Sequence, residues 1–257
     1  MPDSIFCTRL MYMILRSATL EQIRAFLKSR PGDVHICNDI GFGPLLLAAL
    51  GTRTYASEAL VQILIDHRAD VNAVTKNGDS ILSMVCTETD EGSTVGTVRI
   101  LLECGANPNV CDSIGITPLI YASVYTGSGS NYETVELLLQ FDADPNIRSQ
   151  IGSTALTAVV TAGNVEHKVR IAKLLIDRGA NVGLLESDNS SALHRACWFV
   201  GKRDSERIRM TSQDIEVSLE LIELLVKHKA DINVRSDAGL PIDVAKHDAR
   251  VAKILTS

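Results

Sequence analysis

At 257 residues, 46% apolar and 22% charged, the chain has the make-up of an ordered protein, and with only 4% aromatic residues its core must be Leu, Ile, Val and Ala. The net charge of −6 argues against a general nucleic-acid-binding surface, which needs clustered Lys and Arg. No stretch approaches the roughly 18–20 consecutive apolar residues of a membrane span, so no membrane insertion is expected.

In chain order, residues 5–15 lack a basic leader and contain Arg9, so they read as a first helix from Ser4 to Leu15 and not as a signal peptide. A second helix starts at Thr19, where Gln22 three residues later forms a capping box, and it ends before Pro31-Gly32. Met11, Tyr12 and Met13 make the first helix apolar all round, which is unusual at the end of a protein. The reading is a simple N-terminal cap, with an external partner or an upstream continuation as alternatives.

Residues 98–122 carry the phrase on which the chain is built. Val98, Leu101 and Leu102 have the i, i+3, i+4 spacing of a buried helical face. Gly105 stops that helix, because glycine accepts the left-handed backbone after the last helical residue. Asn107-Pro108-Asn109 continues as loop, Asp112 to Gly115 turns, and Thr117-Pro118 starts a new helix, Thr as N-cap and Pro at the first helical position. This phrase recurs. Its turn glycine falls at Gly41, Gly78, Gly115 and Gly152, a step of 37 each time. Ala69, Ala106, Ala143, Ala180 and Ala230 share one register after the second helix, where a small side chain lets neighbouring units approach.

A period in the thirties with helix starts such as Thr117-Pro118-Leu119, and loops such as Ala69-Asp70-Val71-Asn72, signals stacked repeats. At these residues the chain strongly resembles the ankyrin-repeat family, over nearly its whole length. The resemblance implies an all-α ankyrin-repeat solenoid of about seven helix-turn-helix units with hairpin loops, a single domain over residues 1–257. The units are a cap at 1–37, then 38–74, 75–111, 112–148, 149–185, 186–235 and a cap at 236–257. The second unit has the very apolar helix Leu45–Leu50. The third carries Glu88, Asp90 and Glu91 between its helices, and the fourth a soft loop from Thr126 to Asn131. The fifth has Gly183 where the others have Asn, and the sixth is lengthened. Relative to the usual family unit of about 33 residues, the extra residues sit between the two helices, so the inserts are expected to emerge on one edge. The family's helix-start His occurs only as His194; Leu46, Ser83, Ile120 and Thr157 stand elsewhere. In the family this His hydrogen-bonds the turn, so its scarcity predicts looser geometry between repeats.

Chemistry is sparse. The six cysteines show no CxxC and no zinc spacing, which fits free thiols in a reducing compartment. His35, His67, His167, His194, His228 and His247 are scattered, and Gly92 to Gly96 lacks the Lys of a phosphate loop. The chain reads as no enzyme, with no cofactor and no metal.

The binding surface is more informative. The resemblance implies recognition by the first helices and hairpin tips lining the concave face. Leu47, Met84, Tyr121, Ala158 and Arg195 share one first-helix register, read as exposed, and Tyr125, Trp198 and Phe199 follow on that side. Ile40, Ile114 and Ile151 occupy tips where solvated residues are expected. Exposed aromatics, Met and Arg match the composition of interface hot spots. The competing reading has the inserts folding back over some of these residues, Trp198 especially. A secondary basic patch, Lys202, Arg203, Arg207 and Arg209, offers an anionic ligand or nucleic acid a site, or forms a solvated loop. Asn72, Asn109, Asn146 and Asn233 match a context that is hydroxylated in some ankyrin proteins, although a hairpin-bonding role suffices for them. The expectation is a non-catalytic scaffold or adaptor in the cytoplasm, or alternatively the nucleus, that binds another protein and is monomeric alone. A microbial effector or regulatory adaptor acting on partner enzymes is one alternative, and an anionic-ligand or nucleic-acid binder is another.

Overall fold

The computed structural model describes residues 8–51, 57–87, 95–124, 131–162, 167–201, 211–246 and 248–256. Among them lie fourteen α-helices, one 3-10 turn and no strand, only isolated bridges at Val74–Ser80 and Ser236–Gly239. The all-α expectation holds. The chain divides into two compact units, Met1–Pro118 with Gln140–Asp142, and Leu119–Leu139 with Ala143–Ser257.

The first unit begins with α1 (Arg9–Leu15) and α2 (Leu20–Ser29). Among the described residues α1 starts at Arg9, and the expected start at Ser4 lies outside them. Thr8 is extended, and its Oγ1 accepts the Met11 backbone N–H at 3.2 Å, which makes it the N-cap. The helix is also less uniform than its sequence. Leu10, Met11 and Ile14 are buried, while Tyr12 and Leu15 face solvent, with Arg16 5.4 Å from the Tyr12 ring centroid. Thr19 and Gln22 form the expected capping box. After the 3-10 turn Pro31–His35 come α3 (Pro44–Ala49), α4 (Ser57–Asp66), α5 (Ile81–Thr87) and α6 (Val95–Glu103). First helices pack beside first helices, α1 on α3 on α5, and second beside second, α2 on α4 on α6.

The second unit holds α7 (Pro118–Val124) from Leu119 on, then α8 (Asn131–Gln140), α9 (Ala155–Thr161) and α10 (Lys168–Asp177). It ends with α11 (Ala192–Gly201), α12 (Ser212–Lys227), α13 (Pro241–Val244) and α14 (Ala249–Leu255). The same two rows recur, with α9 against α11 against α13 and α10 against α12 against α14. The residues between the helices of each central repeat, with Glu88, Asp90, Glu91 and the loop from Thr126, lie outside the described residues.

Second helices end alike, and the sequence register explains why. In α6 the Gly105 N–H donates to Leu102 O at 3.0 Å and the Ala106 N–H to Leu101 O at 2.9 Å, a Schellman motif closed by a left-handed residue (φ 89°). The alanine register is the next position, and Ala69, Ala106, Ala143, Ala180 and Ala230 are all buried there. Glycine, however, fills the left-handed position only at Gly105 and Gly179; Arg68, Asp142 and Lys229 adopt it with a Cβ. Beyond these turns the Asn register bridges repeats. Asn72 Nδ2 donates to Gly105 O (3.0 Å) and its Oδ1 accepts Asn107 N–H (2.8 Å); Asn146 repeats both bonds with Gly179 and Asn181, and Asn109 reaches Asp142 O (2.9 Å). Gly183 has no side chain with which to do the same.

Candidate functional site

The hairpin tips are built by turn chemistry. In each, a short backbone bond closes the turn, as from Asn38 N–H to Phe42 O (2.8 Å) and from Asp112 N–H to Ile116 O (3.1 Å). Neighbouring tips then stack through one backbone bond each: Lys76 N–H to Ile40 O and Ser113 N–H to Asn77 O in the first unit, Ser187 N–H to Ile151 O and Asp237 N–H to Asp188 O in the second. The approach is so close that a Cβ on Gly41 would lie 2.9 Å from Thr75 Cα. Only the tip side chains project. Ile40, Ile114 and Ile151 are 56%, 50% and 66% exposed, high for aliphatic residues of their size.

The first-helix register is a different environment from the one expected. Leu47, Met84, Tyr121 and Arg195 are half-buried and Ala158 is buried, so the reading of this position as exposed is corrected. The cause is the packing of neighbouring first helices. α3, α5, α7 and α9 have at most seven residues, and α3 against α5 and α9 against α11 pack along their sides. Trp198 and Phe199 are likewise half-buried, their rings edge-to-face with centroids 5.1 Å apart. Tyr125 and the basic residues Lys202, Arg203, Arg207 and Arg209 lie outside the described residues, as do Cys7 and His247.

Arg195 is engaged within the protein. Its Nε donates to Glu186 Oε2 at 2.6 Å and its Nη2 to Asp188 Oδ2 at 3.0 Å, and it also pairs with Glu186 through Nη2. Glu186 is buried and accepts the Ser153 hydroxyl from the preceding tip. Burial pushes the Asp188 carboxyl up, but the Ser190 backbone N–H and the Arg195 charge outweigh it and hold the group below the usual carboxylate range. An anion reaching for Arg195 must displace two carboxylates.

His194 is buried, and its hydrogen bonds specify its tautomer. Nδ1 accepts the Ser191 backbone N–H (3.2 Å), so the ring proton sits on Nε2 and is donated to Gly239 O of the next hairpin (3.2 Å). Burial pulls its pKa below 6.5, with the charge of Arg195 acting the same way. Where the family His is missing, two helix starts are still capped by side chains, while α3, with Gly43 before Pro44, has no side-chain cap. Ser80 and Ser83 share a 2.9 Å hydroxyl pair, and Thr154 and Thr157 exchange both bonds of a capping box. These caps are local, however, and only His194 among these residues reaches the following hairpin.

The remaining reactive groups are structural. Cys86 and Cys197 share a register and are buried, which pushes both thiols up to about 12, far from a nucleophile's range. Exposed Cys37 and Cys111 donate weakly to His35 O and Asn109 O. Lys168, which no sequence motif marks, is buried with Nζ 4.9 Å from the Phe199 ring centroid and 3.3 Å from Val160 O. Burial lowers its pKa, against the pull of Asp214. Ile36 and Val74 belong to no motif either, and both are about half exposed. Val74 shares its register with Cys37, Cys111 and Arg148, a solvated position, which is the sequence signal for its exposure.

Comparison with known proteins agrees with this architecture. The family model described as ankyrin repeats (3 copies) matches residues 45–149 and 119–236. Among solved structures, the crystal structure of the ankyrin repeat domain of Bcl-3, titled a unique member of the IkappaB protein family, superposes with a TM-score of 0.74. It is 23% identical, over 97% of this chain and 98% of that one, a likeness of fold. No curated protein matches the sequence.

Proposed function

The chain belongs to the ankyrin-repeat family, and from that premise we propose that it is a non-catalytic module that binds another protein through its hairpin tips. Ankyrin repeats in general serve protein–protein interaction. The observation that carries the proposal here is the trio Ile40, Ile114 and Ile151, aliphatic side chains at least half exposed at the same tip register. An exposed Ile forgoes about 2 kcal/mol of burial, and a partner's surface supplies it. Half-buried Leu47 and Met84 in the first unit, and Tyr121, Trp198 and Phe199 in the second, support the tips as further contacts, since such rings and Met adapt to a partner while staying packed.

The test is affinity capture from cell lysate with wild type beside Ile40→Ser, Ile114→Ser and Ile151→Ser, read by mass spectrometry. Each change replaces one solvated side chain, so the fold stays intact. A protein captured by wild type and lost with these variants supports the tips; capture indifferent to all three overturns them as the site.

A further inference from the structure

Unit 1 contains a cavity of about 240 Å³ between the 3-10 turn Pro31–His35, the tip at 38–42 and the tip at 75–79. Its floor is apolar, from Leu45, Leu46, Ala69 and Ile81, all buried. The repeat register explains why it is open. Ala73 lines it, and the same register holds Val110, Ile147, Leu184 and Val234 in later repeats. Gly43 also lines it, where Ser80, Thr117, Thr154 and Ser191 stand elsewhere. The smallest side chain of each register therefore occurs in one repeat; Cys37 Sγ fills the place of a Gly43 Cβ, 3.0 Å from it, and the space left open is the one at Ala73.

Three exposed aliphatic side chains belong to this region. Val74 lines the cavity, and Ile36 and Ile40 adjoin the lining residues His35, Cys37 and Gly41; they are 48%, 47% and 56% exposed. An apolar pocket with exposed aliphatic residues on and next to its lining has the composition of an interface hot spot, an anchor site beside groups that exclude water. An apolar cavity of about 150 Å³ suffices for benzene, so this one admits a phenyl or indole group. The charge beside it is acidic. Asp70 and Asp79 line the cavity and Asp39 lies on the adjoining tip, against Lys76 as the cation of the neighbouring tip and His35 as the remaining titratable group.

We infer that this cavity takes an aromatic side chain of a partner protein, presented by a segment with Lys or Arg on either side of it. The proposal rests on the protein-binding reading and adds the kind of sequence recognised. The aromatic ring occupies the volume left at Ala73, and the flanking cations meet Asp39, Asp70 and Asp79.

The probes are three blocked pentapeptides, Gly-Lys-Phe-Lys-Gly, the same with Ala for Phe, and the same with Glu for both Lys, titrated into the ¹⁵N-labelled full chain. The expected result is a set of amide shifts confined to Gly41, Gly43, Ala73 and Thr75, with a Kd of roughly millimolar order for so small a ligand. The Ala peptide binds about tenfold more weakly and the Glu peptide about fivefold. Ala73→Leu, which restores the bulk of the register, abolishes the shifts while the far-ultraviolet spectrum is retained. Ala73→Val, the side chain that Val110 and Val234 place at this register, is the second variant, narrowing the same space should Ala73→Leu fail to fold. No shifts at these amides, equal binding of the three peptides, or shifts that survive in the folded variant would each overturn the proposal. Loss of capture by Ile114→Ser and Ile151→Ser is read separately, so the cavity can fail while the protein-binding reading stands.

Discussion

The repeats of the first unit and the last repeats of the second are joined by different chemistry. In the first unit, Asn72 and Asn109 cross to the next repeat with neutral hydrogen bonds, and the tips touch through backbone bonds. In the second, Asn146 makes the same bridge once. At the following junction Gly183 replaces Asn, and the tips are tied by Ser153, Glu186, Arg195 and Asp188, then by His194 to Gly239. One fold thus tolerates both a neutral and an ionisable solution to the same joint. The second carries a titratable ring, His194, across the joint.

Substitutions at the joints put that contrast to the test. The largest effect belongs to Gly201 at the end of α11. A Cβ there would overlap Val244 O and lie 3.3 Å from Ala245 Cα, so Gly201→Ala forces the last repeat away at a cost of about 3 kcal/mol. Urea unfolding monitored by circular dichroism measures it; an unchanged midpoint would mean that α11 and α13 are not in close contact.

Removing the neutral bridges comes next. Asn72→Ala and Asn146→Ala each delete two inter-repeat hydrogen bonds and are expected to cost about 1–2 kcal/mol. The loss should be the same at pH 5.5 and 7.5. The converse, Gly183→Asn, places an amide in register with Lys229 O and Asp231 N and should gain about 1 kcal/mol. A neutral or negative change in its thermal midpoint would show that the longer sixth repeat has shifted that register.

His194 gives the ionisable joint its sign. Its folded pKa lies below 6.5, so between the two values the unfolded chain binds more protons. The stability from neutral His194 is complete above pH 6.5 and is lost as pH falls beneath it. Wild type should therefore lose stability from pH 7 to 5, and His194→Gln should flatten that part of the profile. A slope identical in the variant would assign the pH dependence to other groups.

The smallest effect lies in the left-handed residues. Arg68→Gly, Asp142→Gly and Lys229→Gly relieve a Cβ at positive φ worth about 1 kcal/mol, offset partly by glycine's greater freedom when unfolded, for a net gain near 0.5 kcal/mol each. Differential scanning fluorimetry of the triple variant, where the gains add, resolves it. A fall in its melting temperature would mean that the side chains removed contribute more than the strain.

Much of this architecture was legible in the chain. The alanine register, Gly105, the Thr117-Pro118 helix start and the Thr19–Gln22 capping box are local signals, because backbone geometry and orphaned N–H groups favour those residue types at such positions. The tip isoleucines were legible for the same reason, since a turn of fixed length points a fixed position outward. What sequence alone could not give is any quantity that depends on two repeats at once. The burial of the Leu47 register depends on how closely neighbouring short helices lie, the engagement of Arg195 on where Glu186 falls, and the tautomer of His194 on a carbonyl 45 residues away. The cavity beside Ala73 is the sharpest case. Sequence reveals that Ala73 and Gly43 are the smallest of their registers, but that the first leaves a void while Cys37 Sγ fills the place of the second is decided by the packing of three successive repeats, because a void is a property of all the atoms around it and not of any residue that lines it.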